Sequence, residues 1–419
     1  MSGTTEGGPA TVAALVDVKR AEDERVDARA RGLLPWAGEA LRPYRTAIAV
    51  YLGTRALLLA VAFMNSAVRH HPVLAQLANW DGRWYRGVAD LGYPTHVVHV
   101  QSTLGFFPLY PLIVRAVAYL FYWPTSHSLA WATTLAGVLV SMLGGLVATV
   151  LAQKLASGWW GELVGRRAAV LFCLFPGSVV FSMVYAEGVM IPLAIGTFIA
   201  LKHRRWLLAG VLAGLATACE PEAVLLVLVC GIAAARELRE RGWHSHAARR
   251  SLLAPLLSLT GIGTFAVFLW AWAGTPFASL IAQHDGWQEK SDPLAFIHLI
   301  GQLGGEISFA HFDHPTINLN LVVGVLGGFA LLAMLVLMFL ARRSMSLESI
   351  VWTLGISVVA LTASYPFSPN PRVLITAFPA VLVVARYVRG RTWPVLCLAS
   401  GVSLAGMAAL TYIGTTLRP

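Results

Sequence analysis

Few side chains in this sequence have the types and placement needed for chemistry, and most are acids, arginines and aromatics at the ends of apolar runs. The densest group is Asn79-Trp80-Asp81-Gly82-Arg83-Trp84-Tyr85-Arg86. Read as a helix, Leu77, Trp80, Trp84, Val88 and Leu91 recur at spacings of three and four and share one apolar face. Arg83, Arg86 and Asp90 fall opposite, and Asp90 is expected to be solvated. Such a helix lies along a bilayer surface with Trp at the interface. Asp81 sits at the edge of the stripe, where a carboxylate can take a proton from an acceptor hydroxyl beside a lipid-borne reactant. The competing reading is a helix-terminal carboxylate that satisfies free N–H groups.

Arg372 follows Pro369-Asn370-Pro371 at the edge of an apolar run. A departing phosphate needs a cation, and a guanidinium can hold it with two parallel hydrogen bonds. The alternative for Arg372 is a snorkelling anchor. Glu187 and Glu220 stand at similar edges and are candidates for substrate hydroxyls. Tyr85, one turn after Asp81, and Trp80 join them as candidate binding residues. His284 and His311 are candidates in a polar stretch that also holds Asp285, Asp313 and His314. Zinc usually takes three or four convergent ligands, and His311-x-Asp313-His314 does not supply them by spacing, so no metal is expected. Arg55 lies within an apolar run, where a charge is normally paired; a structural ion pair is expected.

These residues have to be positioned by membrane helices. The chain has 419 residues, of which 57% are hydrophobic and only 12% charged, and its mean hydropathy is +0.67. Soluble domains carry about 25% charge. The composition excludes a soluble globular protein and a disordered one, and the apolar runs are too long for barrel strands. The formal charge of +10 comes without a basic motif interleaved with aromatics, so no nucleic-acid partner is expected. It fits loop charges that set topology and touch membrane lipid. Cys173, Cys219, Cys230 and Cys397 all lie in apolar runs and form no CxxC.

Spans are expected at 46–64, 128–153, 168–184, 186–201, 206–219, 222–235, 251–273, 319–341, 347–364, 373–388 and 393–414. Residues 1–45 are polar and read as a cytosolic tail, and 46–419 as a single membrane domain. The run 106–122 is broken by Pro108, Pro111 and Arg115. If it does not cross, the basic clusters around Lys154, Lys202–Arg205, Arg236–Arg250, Arg342 and Arg386–Arg391 all fall on the side of the tail, as positive-inside topology requires. The expectation is an all-α polytopic bundle of about eleven spans with 106–122 re-entrant. Residues 65–127, holding Asp81, then form a first outer loop, and 274–318 a long outer loop that covers the site.

No Gly-rich phosphate loop, GxSxG elbow or dinucleotide fingerprint is present. The expected chemistry is a displacement driven by positioning, one base and leaving-group electrostatics, without a cofactor.

Trp80-Asp81-Gly82, followed by Trp84-Tyr85, Ala89 and Gly92-Tyr93, resembles the first outer loop of PIG-V-type mannosyltransferases. So does Gly105-Phe106-Phe107-Pro108-Leu109-Tyr110-Pro111. Phe175-Pro176-Gly177-Ser178 through Tyr185-Ala186-Glu187 is similar to a third motif of that family, with Ala186 where Ser is usual. Cys219-Glu220-Pro221-Glu222 departs from the family, which often has a basic residue there. The resemblance implies a GT-C fold and an inverting transfer of mannose from a polyprenyl-phosphate carrier to a lipid-linked acceptor, such as a phosphatidylinositol mannoside. It places the reaction at the outer face of the plasma membrane with the acid at Asp81 as base. Two alternatives remain open at this level: a lipid or sugar-lipid flippase without chemistry, and a GT-C enzyme using another polyprenyl-linked sugar or a protein acceptor.

Overall fold

The structure is a computed structural model. It describes residues 39, 41–125, 128–288, 290–307, 317–364, 369–414 and 417–419. Two units separate at Thr46. In the first, the described residues hold one 3-10 turn, Arg42–Tyr44. The account below concerns the second, 47–419.

The described part of this unit is helical, and its only strand-like pairing is an isolated bridge between Ser291 and Ala363. The longest helix, Leu129–Trp160, is started by Ser128, whose hydroxyl accepts from the Trp131 N–H, and ended by Gly161 at φ +86°. It packs against Leu109–Thr125, Glu162–Leu174 and Glu187–Lys202. Close approach depends on small residues. A side chain at Gly144 would strike the backbone of Gly188, and one at Gly145 would strike Tyr51 and Phe181. In a membrane, where burying apolar surface drives association weakly, such small-residue contacts hold helices together.

Among the described residues, five helices are long and apolar enough to cross a membrane. They are Arg42–Arg69, Leu129–Trp160, His246–Ala273, Leu319–Ser344 and Thr392–Ile413. A sixth crossing would be the pair Glu162–Leu174 and Pro176–Ser182, bent by 71°. The expected total of about eleven is not established by length, because several apolar runs are divided by polar or proline breaks. Trp206–Thr217 stops before Glu220, Phe378–Tyr387 is separated from Pro371–Thr376, and Leu347–Thr362 has 16 residues. The run read as re-entrant is a helix of 17 residues, Leu109–Thr125, preceded by extended backbone at Phe106.

Arg55 is 1% exposed, and it forms no ion pair among the described residues. Its guanidinium donates to the Ser178 carbonyl at 2.6 Å, the Ser182 hydroxyl at 3.0 Å and the Ser178 hydroxyl at 3.1 Å, and lies 4.9 Å from the Tyr51 ring centre. The ion pair expected from sequence is thus replaced by neutral oxygens. They belong to the Pro176–Ser182 turn, which cannot continue the preceding helix because Pro176 lacks an N–H.

Candidate active site

The first helix of the site begins at Asp81 and runs to Leu91. Trp80, just before it, has φ 58°, a conformation that costs a bulky residue of order 1–3 kcal/mol. The turn is held by the Trp80 indole N–H donating to the Thr411 carbonyl at 3.1 Å. This break separates Leu77, on the short helix Val73–Leu77, from the helix that follows. The stripe read from sequence is therefore not one face. The buried face is Gly82, Tyr85, Val88 and Ala89, and Leu91 is 89% exposed. Asp90 is not free in solvent: it accepts from the Thr133 hydroxyl at 2.8 Å, and Arg86 lies 3.8 Å away.

The second contributor is the segment after the Pro176–Ser182 turn. Its path is fixed by the Val184 N–H bonding to the Leu77 carbonyl at 3.0 Å and by Ser141, whose hydroxyl donates to the Tyr185 carbonyl at 2.9 Å. Tyr185 then lies under the site, and Glu187 starts the next helix. A third piece is the break between Trp206–Thr217 and Leu225–Arg241, which holds Glu220. The fourth is Pro371–Thr376. Asn370 caps it by accepting from the Val373 N–H at 3.0 Å, and Pro371 fits its first turn, so Arg372 projects from the helix start.

These four pieces converge on one guanidinium. Arg372 donates from Nη1 to Asp81, from Nε to Glu187, and from Nη2 to Glu220 at 3.5 Å. Its Cζ sits 4.7 Å from the Tyr185 ring centre, a cation–π position. The Tyr185 hydroxyl accepts from the Asp81 N–H at 3.3 Å. Tyr85 donates to Glu220 Oε1 at 3.0 Å. Glu187 and Glu220 are 1% and 2% exposed, and each keeps one carboxylate oxygen, Oε2, with no partner among the described residues. Burial raises the Glu220 pKa well above the usual carboxylate range; Glu187 and Glu222 push it the same way and Arg372 opposes them.

The cavity over this cluster has a volume of about 180 Å³ and is lined by Asp81, Glu187, Glu220, Arg372 and aromatic side chains. Trp287 forms part of the lining, edge-on to Trp84 at 5.0 Å and to Phe106 at 5.7 Å. Gln283 donates to the Gly105 carbonyl at 3.1 Å. Both belong to the stretch 274–318, so its described part does reach the site.

Asp81, Glu187, Glu220, Tyr85 and Arg372 are thus brought together. Trp80 is not among the cavity residues: its indole packs on the last helix, with the Arg418 guanidinium 5.5 Å away. His284 turns outward, 66% exposed, and holds Asp285 at 2.6 Å, which His99 also contacts at 2.6 Å. These hydrogen bonds, first that of His284 and then that of His99, lower the Asp285 pKa. His311 lies outside the described residues, as do Asp313 and His314. Sequence reasoning missed Tyr185 as the platform for Arg372 and Gln283 and Trp287 as cavity residues. Tyr185, two residues before Glu187, was the one signalled by its neighbourhood.

An all-helical membrane bundle whose polar residues meet at helix ends is the architecture of the GT-C glycosyltransferases. The oligosaccharyltransferase of Archaeoglobus fulgidus in its apo form is similar in fold, with a TM-score of 0.50 and 12% identity, over 88% of this chain and 56% of that one. ArnT from Cupriavidus metallidurans bound to undecaprenyl phosphate aligns with a TM-score of 0.48 and 15% identity, over 83% of this chain and 62% of that one. The chain spans less than two thirds of either protein. No curated protein matches it significantly. Residues 38–250 match the family model for Mannosyltransferase (PIG-V). The chain belongs to that family of membrane glycosyltransferases.

Proposed function

We propose that this protein transfers mannose from polyprenyl-phosphate-mannose to a lipid-linked acceptor, a glycolipid such as a phosphatidylinositol mannoside. Asp81 takes the proton of the acceptor hydroxyl as that oxygen bonds to the anomeric carbon. The carbon–oxygen bond to the carrier breaks on the opposite face, and the phosphate leaves with the electron pair, inverting the anomeric centre. Arg372 offsets the charge that develops on the phosphate. Glu187 and Glu220 accept sugar hydroxyls, with Tyr85 holding Glu220 in place and Trp287 packing on the sugar. The donor is a co-substrate, and the reading requires no cofactor or metal.

The observation that carries this reading is the pair of buried carboxylates, each with an unused oxygen, on either side of an arginine and next to Asp81. Buried polar atoms normally find partners, and a hydroxyl-rich ligand supplies them. The distribution of basic loops supports a plasma-membrane protein with a cytosolic N-terminus and this cavity on the outer side. The test is transfer from radiolabelled polyprenyl-phosphate-mannose to a membrane-lipid extract by the purified wild type and Asp81→Asn. A labelled glycolipid formed by wild type alone supports the reading. Equal transfer by a folded Asp81→Asn refutes the role of Asp81, and movement of lipid across liposomes without a covalent product would make the protein a flippase.

A further inference from the structure

A second cavity, about 250 Å³, lies at the Asp81–Leu91 helix and is lined by His71, Gln76, Asn79, Arg83, Arg86 and Tyr412 among others. Among the described residues, no acidic one lines it. Arg83 projects from an exposed position and is steadied by donating to Asn79 Oδ1 at 2.9 Å, while Asn79 itself donates to the Tyr412 carbonyl at 2.9 Å. Arg86 faces one acid, Asp90, at 3.8 Å, a spacing too long for a firm hydrogen bond. Gln76 is 4% exposed. Its amide nitrogen is used twice, on the Ala62 and His71 carbonyls, but its Oε1 is buried without a partner among the described residues. The cavity therefore offers two guanidinium groups and one unsatisfied buried acceptor.

Its depth in the membrane follows from the helices around it. Arg45–Arg69 ends one residue before His70-His71, and Thr392–Ile413 ends at Tyr412-Ile413. The two ends are neighbours, because Asn65 donates to the Ala409 carbonyl at 3.0 Å. Two span-length helices finishing together place the cavity at the level of lipid headgroups. Guanidinium groups there meet phosphate, with which they make paired, charge-assisted hydrogen bonds, and a hydroxylated headgroup would give Gln76 Oε1 its donor.

We propose that this cavity binds the phosphate headgroup of an anionic phospholipid bearing free hydroxyls. Bound there, the lipid braces the helix that presents Asp81 to the other cavity. The site is distinct from the Arg372 cluster, and none of Arg83, Arg86 or Gln76 lines that cavity.

The test is the melting temperature of the purified full-length chain in neutral detergent, titrated with phosphatidylglycerol, phosphatidylcholine, undecaprenyl phosphate or inorganic phosphate. Wild type should gain about 3 °C or more with phosphatidylglycerol over phosphatidylcholine. The double variant Arg83→Gln/Arg86→Gln should lose that difference. An undiminished difference in the double variant, or none in wild type, overturns the proposal. A shift matched by inorganic phosphate makes this a free-anion site and overturns the lipid assignment. A shift with undecaprenyl phosphate alone makes it a donor site and overturns it likewise. Should the double variant fail to fold, native mass spectrometry of wild type decides: preferential retention of phosphatidylglycerol supports the site, and equal retention of both lipids rejects it.

Discussion

Arg372 and Asp81, 291 positions apart in sequence, are joined directly through a guanidinium and a carboxylate. The cation that would meet the leaving group and the base that would take the proton are thus coupled before any substrate arrives. In the proposed displacement, the two reacting ends would be set against each other by this one contact, with substrate entering between them or alongside.

Asp81→Asn keeps the shape of the side chain and removes the proposed base. General-base groups contribute roughly 10²–10⁴-fold, so kcat for glycosyl transfer should fall by about that range. The melting profile should remain cooperative, which separates loss of chemistry from loss of fold.

Arg372→Lys retains the charge but not the three-way fork, and a lysine cannot hold Asp81, Glu187 and Glu220 together. Transfer should drop at least about 100-fold, the scale of one lost electrostatic stabiliser. Arg372→Ala goes further and leaves Glu187 and Glu220 buried without their cation. Removing one partner of a buried pair costs about 3–5 kcal/mol, and a lowered unfolding midpoint in reversible denaturation should show it.

Glu220 gives a pH signature. Its pKa in the folded protein is raised by burial above the ordinary carboxylate value of 4.5. A raised carboxyl pKa means that the folded state favours the protonated form. The cost of ionising it is absent below the ordinary value and grows as pH rises toward the folded one. Glu220→Gln cannot ionise and escapes that cost. The melting temperature of Glu220→Gln relative to wild type should therefore rise between acid and neutral pH, and a flat difference across that range would sink the argument.

Arg55→Met tests the neutral cradle in the first span. It strips the Ser178 carbonyl and the Ser178 and Ser182 hydroxyls of their donor, at about 1–3 kcal/mol for each buried acceptor left unpaired. The melting midpoint should fall clearly. Arg55→Lys should recover only part of the loss, since one ammonium cannot span the same oxygens.

The acids and the arginine of the site were readable because each stands where an apolar run stops, a place visible in composition alone. The membrane class was readable from composition as well, whereas the family rested on the resemblance of particular motifs, Trp80-Asp81-Gly82 first among them. Faces and partners were less so. Helical periodicity assigns a face only while the helix is continuous, and the left-handed Trp80 interrupts it, which is why Leu91 proved exposed and Tyr85 buried. Arg55 was expected to pair with an acid because charges in membranes usually do; its partners on Ser178 and Ser182 lie more than 120 positions away, and the neighbouring Thr54 hydroxyl at 3.4 Å gives no sign of them. His284 belongs to a stretch that reaches the cavity, but through its neighbours Gln283 and Trp287, and a wide helical turn at Ala282–Gly286 decides which side chains face inward.

The bend at Phe175-Pro176 bears on how the protein is made. Glu162–Leu174 has 13 residues, about 20 Å of helix at 1.5 Å per residue, against a hydrocarbon layer of about 30 Å. Neither half of this broken segment is long enough to span that layer by itself, so its stable insertion is expected to need a partner helix. The preceding Leu129–Trp160 helix packs along Glu162–Leu174, and early pairing of the two would supply that partner. The turn that cradles Arg55 would for that reason also make biogenesis dependent on early helix pairing.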